Sequence, residues 1–171
     1  YQISLSPFSY FREKKQPQIV SDYSLGEKIS FSNLGNSQVY TQRGWSTVEE
    51  WGRWSVGSSA DINFRLMIDQ KGPFKLEIVM STLTGKVQPC QEVIVTINKD
   101  KSRTLDLCDN NGGNQPKLYT FIIKEIDYIT DRLVNITFST PDSISPKALN
   151  MNQDERVLGL GIRSLTLSDI E

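Results

Sequence analysis

The sequence predicts an all-β fold, an antiparallel β-sandwich with at most one or two short helices. Three observations carry that expectation. Apolar residues recur with a period of two along most of the chain, as in Ala60, Ile62, Phe64 and Leu66 with polar Asp61, Asn63 and Arg65 between them. Turn chemistry interrupts the alternation about every dozen residues, the rhythm of a sandwich and not of a βαβ fold. Helix signals are few: Lys124–Arg132 has room for a turn, and Ser145-Pro146-Lys147-Ala148-Leu149-Asn150 reads as one turn, with Ser145 capping and Pro146 at its first position.

Taken in order, residues 1–24 form a weakly patterned leader with Phe8, Tyr10 and Phe11 ahead of basic Arg12-Glu13-Lys14-Lys15. A linker leaving a membrane segment and a strap laid over a sheet both fit it. Residues 25–171 are expected to make a single sandwich domain. Ile29 and Phe31 start a half-buried strand that Asn33-Leu34-Gly35-Asn36 closes. Val39 and Tyr40 are expected to open a second short strand. After Ala60 the inward rows are Phe74, Leu76, Ile78 and Met80, then Val93, Val95 and Ile97, then Leu105 and Leu107. Tyr119, Phe121 and Ile123 follow, then Val134, Ile136 and Phe138, and last Leu158, Leu160 and Ile162. Asn135-Ile136-Thr137 matches a glycosylation sequon but falls mid-strand and is read as chance.

Composition narrows the function classes. With 171 residues, 37% hydrophobic and 23% charged, the chain is long enough to bury a core without metals. A net charge of −1 gives no footprint for nucleic acid. No run of about 18 apolar residues is present to span a bilayer. The chain opens at Tyr1 with no methionine, as an excised piece of a longer protein would. Histidine is absent, which removes the commonest general base and metal ligand. Cys90 and Cys108 lack zinc spacing but flank two strand-like runs joined at Lys99-Asp100-Lys101-Ser102. A hairpin there sets them nearly opposite, so a disulfide is expected in an oxidising compartment; two unlinked buried thiols are the other reading.

The segment Gly44–Gly57 holds all three tryptophans, Trp45, Trp51 and Trp54, beside Glu49, Glu50 and Arg53. Two readings stand. The indoles plug one end of the sandwich, or they offer flat faces to a pyranose while carboxylates and guanidinium groups take its hydroxyls. The charges place the segment at a rim near water. Gly159 and Gly161 leave one face of the last strand bare, which lets a ring, a backbone or a ligand approach. Asp154, Glu155 and Arg156 lie just before it.

These motifs resemble a known family. Gly44-Trp45-Ser46, Glu49, Trp51-Gly52, Trp54-Ser55 and Gly57 match its opening, with Val48 where its pattern has proline. Ser145-Pro146, Leu149, Arg156, Leu158-Gly159-Leu160 and Ser164-Leu165 match its close, and Val93–Asn98 its central strand ending in Asn98. The family comprises periplasmic or extracellular jelly-roll domains, like galactose-binding and carbohydrate-binding modules. They are appended to bacterial membrane glycosyltransferases and phosphoglycerol-transferase-like proteins.

The resemblance implies a non-catalytic module that binds or positions a surface glycan, with the membrane-embedded remainder of the same polypeptide as partner. Trp45 or Trp54 would stack and Glu49, Arg53, Asp154 and Arg156 would hydrogen-bond, with Trp51 and Asn98 completing the candidate ligand-binding set. The alternative is a structural or docking domain in which Glu49–Arg53 and Asp154–Arg156 are internal ion pairs. Catalysis would rest on Glu49 and Asp154, with no histidine or nucleophile motif beside them. No cofactor is expected; Asp109-Asn110-Asn111 is the one candidate calcium loop. Burial of all three tryptophans with no concavity beside them would exclude the glycan reading.

Overall fold

The computed structural model describes residues 19–99, 101–126 and 131–170. Residues 1–18 of the leader, and residues 127–130 of the turn expected over Lys124–Arg132, lie outside the described residues. The chain forms β1 (Asp22–Tyr23), β2 (Lys28–Ser30), β3 (Arg53–Val56), β4 (Ser59–Leu66) and β5 (Phe74–Thr82). It continues through β6 (Cys90–Ile97), β7 (Lys101–Cys108), β8 (Lys117–Ile123), β9 (Leu133–Ser139) and β10 (Leu158–Asp169). No α-helix occurs among the described residues; two 3₁₀ turns, Ser37–Val39 and Asp109–Asn111, are the only helical pieces there.

Two sheets pack face to face, as the alternation predicts. One has the strand order β1-β4-β9-β6-β7; the other is β2-β10-β5-β8, with β3 also pairing β10. β2 and β3 share one side of the long β10, and β5 runs along its other side. The inward rows meet between the sheets: Phe31, Phe64, Phe74, Ile78, Ile136, Phe138 and Leu160 are all fully buried. Tyr23 joins the sheets from within. Its ring lies 4.5 Å from that of Phe64, and its hydroxyl accepts from the Leu167 N–H at 2.8 Å and donates to the Glu27 carbonyl at 2.6 Å. Burial holds this phenol protonated far above its ordinary range.

One expectation needs correction, and two details refine the sandwich. Val39 and Tyr40 open no strand; Ser37–Val39 is a 3₁₀ turn, which leaves Val39 exposed and turns Tyr40 into the core. Two apolar neighbours were too little to specify a period. The sandwich is not wholly antiparallel, because β1 pairs β4 in parallel. β10 runs on past Ile162 to Asp169 through an irregularity in its pairing with β5, where Ile162 faces Met80 but Ser164 faces Val79. The inner row therefore changes parity, from Leu158, Leu160 and Ile162 to Leu165 and Leu167. One extra residue, Arg163, is accommodated as a β-bulge.

The β6–β7 hairpin pairs Cys90 directly with Cys108, and the two form a disulfide across a separation of 18 residues. β7 is an edge strand, held on one side only, so the bond restrains the open end of the hairpin. Its loop-closure contribution is about 3 kcal/mol. Urea unfolding of the Cys90→Ser/Cys108→Ser variant should show a loss of that order, matched by the native chain in reductant. An unchanged midpoint would mean the hairpin is held by its ladder and packing alone.

Candidate functional site

The tryptophan segment folds as a small hairpin laid against β10. Trp45 bridges Ser55, the Ser46 N–H donates to the Trp54 carbonyl at 3.0 Å, and the Glu49 N–H donates to the Gly52 carbonyl at 2.8 Å. Glycine is required at Gly52, whose Cβ would lie 2.4 Å from the Ile162 carbonyl oxygen. The Asn33 N–H donates to the Glu49 carbonyl and clips the turn to the loop after β2.

This geometry separates the three tryptophans. Trp45 packs against the core, 5.3 Å from Phe31 and 6.2 Å from Phe138, and its N–H donates to the Asp61 carbonyl at 2.9 Å. Trp51 and Trp54 sit on the other face of the sheet, edge to face with centroids 5.3 Å apart. Both rest over Gly161: a Cβ there would stand 3.0 Å from Trp51 Cη2 and 3.1 Å from Trp54 Cζ3. The register places Trp54, Gly161 and Ser81 side by side on the outer face. Trp54 also packs on a small second core of Leu83, Leu149 and Leu158.

Beside the two indoles is a concavity of about 330 Å³. Ser81, Thr82, Leu83 and Thr84 line it from β5 and the loop after it, Asn114, Gln115 and Pro116 from the approach to β8, and Met151 and Arg163 complete it. Both tryptophans are half-buried and line the concavity. An apolar wall with a few polar groups is the ordinary composition of a small-molecule site.

Among the charged candidates, Glu49, Asp154 and Arg156 come together and Arg53 and Asn98 stay apart. Glu49 accepts from the Trp51 N–H at 2.8 Å and lies 3.7 Å from Arg156 Nη1. Arg156 Nη2 donates to Asp154 at 2.6 Å and its Nε donates to both carboxylate oxygens. This hydrogen bonding holds the Asp154 carboxyl below its usual range and raises the Arg156 guanidinium further. The network braces Trp51 from behind. Glu50 is exposed. Arg53 pairs not with Glu49 but with the Ser46 carbonyl at 2.5 Å and Thr41 Oγ1 at 2.9 Å; burial lowers its pKa. Asn98 lies at the opposite end of the sandwich, where its amide donates to the Leu133 carbonyl and accepts from the Asn135 N–H.

In the Asp109–Asn111 loop, two of the side-chain oxygens serve local hydrogen bonds. Asp109 accepts from Thr84, and Asn111 accepts from the Cys108 and Gly113 N–H groups. Among the described residues no cluster of three or more carboxylate or thiol groups could hold a metal.

Arg163 was not singled out from the sequence, nor were Ser81, Asn114, Gln115 or Met151. A signal for Arg163 existed: inward residues at 158, 160 and 162 followed by 165 and 167 require a bulge with one surplus outward side chain. The others come from separate segments and carry no common pattern. Two other concavities lie elsewhere. A larger one of about 540 Å³ opens between the edges of β7 and β8 and is walled by core side chains such as Leu76, Val95 and Phe121. A polar one of about 290 Å³ lies on the outer face of the other sheet at Arg43, Asp61, Asn63 and Asn135.

Two outcomes follow from this geometry. Gly161→Val should displace both indoles, changing tryptophan emission and near-ultraviolet dichroism while the chain still folds, at a cost of about 1–3 kcal/mol. Unaltered spectra would mean that the rings do not rest on Gly161. Because its folded pKa is depressed, Asp154 contributes above its unfolded pKa and loses that contribution as pH falls through the folded value. Carboxyl NMR titration should place its midpoint below the ordinary carboxylate range, and Arg156→Ala should move it back up.

The sandwich matches solved structures at low sequence identity. The CBM36-1 domain of a multidomain xylanase from the hindgut metagenome of Trinervitermes trinervoides aligns with a TM-score of 0.50 and 12% identity, over 85% of this chain and 98% of that one. The mosquito-larvicidal Cry4Aa toxin of Bacillus thuringiensis aligns with a TM-score of 0.52 and 9% identity, over 89% of this chain and 25% of the toxin. The 4-O-methyl-α-glucuronidase BtGH115A aligns with a TM-score of 0.50 and 7% identity, over 80% of this chain and 17% of the enzyme. At these identities the likeness establishes the fold alone, a carbohydrate-binding-module-like β-sandwich. No curated protein sequence matches the chain. Residues 21–169 match the family described as Domain of unknown function (DUF7024), to which the chain therefore belongs.

Proposed function

We propose that this domain is a non-catalytic glycan-binding or positioning module whose site is the concavity beside Trp51 and Trp54. One observation carries the reading: two half-buried indoles line an open concavity beside the hydroxyl and amide side chains of Ser81, Thr82, Thr84, Asn114 and Gln115. Indole offers a flat apolar surface to the C–H groups of a pyranose, and the surrounding hydroxyl and amide groups suit its hydroxyls. The aligned carbohydrate-binding module supplies the same sandwich.

Two further features support a binding role over hydrolysis. A glycosidase general acid needs a raised pKa, whereas Asp154 is depressed by Arg156. Glu49, the other carboxylate, is engaged by the Trp51 N–H and Arg156. The Cys90–Cys108 disulfide suits a periplasmic or extracellular setting. The resemblance of the tryptophan and closing motifs supplies the parent in this proposal, a membrane-bound enzyme that builds or modifies bacterial surface polysaccharide.

A docking role is the second reading. The apolar opening between the edges of β7 and β8, with Leu118 and Ile122 exposed on β8, favours it.

Calorimetric titration with bacterial surface polysaccharides and their oligosaccharides separates the two. Saturable binding is expected, weakened about tenfold by Trp51→Ala or Trp54→Ala. Trp45→Phe should leave affinity unchanged, since Trp45 lies outside the concavity. Absence of binding across the panel, or equal loss with Trp45→Phe, would overturn the assignment.

A further inference from the structure

We infer that the Trp51–Trp54 concavity takes an anionic sugar unit, one bearing a carboxylate or a phosphate, and that Arg163 selects it. The inference rests on the glycan-binding reading and names the chemical class of its ligand. Arg163 is the only formally charged residue among the described residues lining the concavity. Among the described residues nothing engages its guanidinium. Two arginines of the neighbouring segments are committed within the fold: Arg53 to Ser46 and Thr41, and Arg156 to Asp154 and Glu49.

The bulge in β10 explains how an unpaired cation comes to stand there. Inserting one residue between Ile162 and Ser164 leaves the inner rows on both sides packed and gives the outer face one surplus side chain. The Arg163 carbonyl accepts from the Phe31 N–H at 2.9 Å, so the backbone is pinned while the exposed side chain reaches the concavity. A guanidinium offers paired donors that match a carboxylate or phosphate in one plane. Ser81, Asn114 and Gln115 are neutral, so no lining carboxylate competes with the ligand for that charge. A sugar stacked against the indoles would present its acidic substituent to Arg163.

The test is calorimetry of the full chain with matched pairs. One set comprises oligosaccharides of galacturonate, glucuronate and mannuronate with their carboxyl-reduced counterparts; the other is phosphorylated mannan fragments with the dephosphorylated form. In at least one pair the anionic member should bind about tenfold tighter, equivalent to about 1.4 kcal/mol, and the preference should shrink as salt is raised. Arg163→Gln should erase the preference, the loss of affinity falling on the anionic member more than on the neutral one; Arg163→Lys should retain part of it. The set that shows the preference identifies carboxylate or phosphate as the recognised group. Equal binding of both members, or a preference that survives Arg163→Gln, overturns the inference while the glycan reading stands. Failure of every member to bind overturns both.

Discussion

Two indole rings rest on the bare backbone at Gly161, and the rest of the site depends on that contact. β10 lies in the interior of its sheet, flanked by β5 on one side and by β2 and β3 on the other. A side chain at 161 would project into the space that Trp51 and Trp54 occupy. Without one, the rings lie against the backbone, half-buried, and still line the concavity. Fixing the rings also fixes what touches them. The Trp51 N–H holds Glu49, Glu49 faces Arg156, and Arg156 clamps Asp154 in the loop that brings Met151 to the wall.

Charge is distributed in two distinct ways around this arrangement. Glu49, Asp154 and Arg156 satisfy one another near the surface, where ion pairs add little stability but do set geometry. Their work is positional: they hold the Trp51 ring from its polar edge. Arg163 has no such partner among the described residues, and its charge faces the concavity instead of the fold. A group that stabilises nothing internally is available to a ligand.

The same sandwich aligns with a xylanase-associated carbohydrate-binding module and with an insecticidal toxin, so the architecture alone carries no function. What distinguishes this chain is how its outer faces are furnished. One sheet presents the tryptophan concavity, the other a polar cluster around Asp61 and Asn63, and the side edge an apolar slot between β7 and β8. Only the first combines aromatic surface, neutral hydrogen-bonding groups and an unpaired charge.

Most of the fold was legible because period-two alternation is local. Ala60, Ile62, Phe64 and Leu66, or Val134, Ile136 and Phe138, declare which side of a strand faces inward without reference to any other strand. The cysteine pairing was legible because a hairpin converts sequence spacing into register. Val39 and Tyr40 were misread because two residues define no period. The candidate site was only half legible. Its tryptophans and glycines stood out, as did Glu49, Asp154 and Arg156, whereas the division of Trp45 into the core and Trp51 and Trp54 onto the outer face did not. That division, and the meeting of Ser81, Asn114, Met151 and Arg163, depend on which strand lies beside which. By itself the sequence determined the inward rows, the covalent hairpin and the bare face of the last strand. Tertiary structure alone decided what covers that face and which charge is left unpaired, because strand order is set by non-local packing that no periodicity encodes.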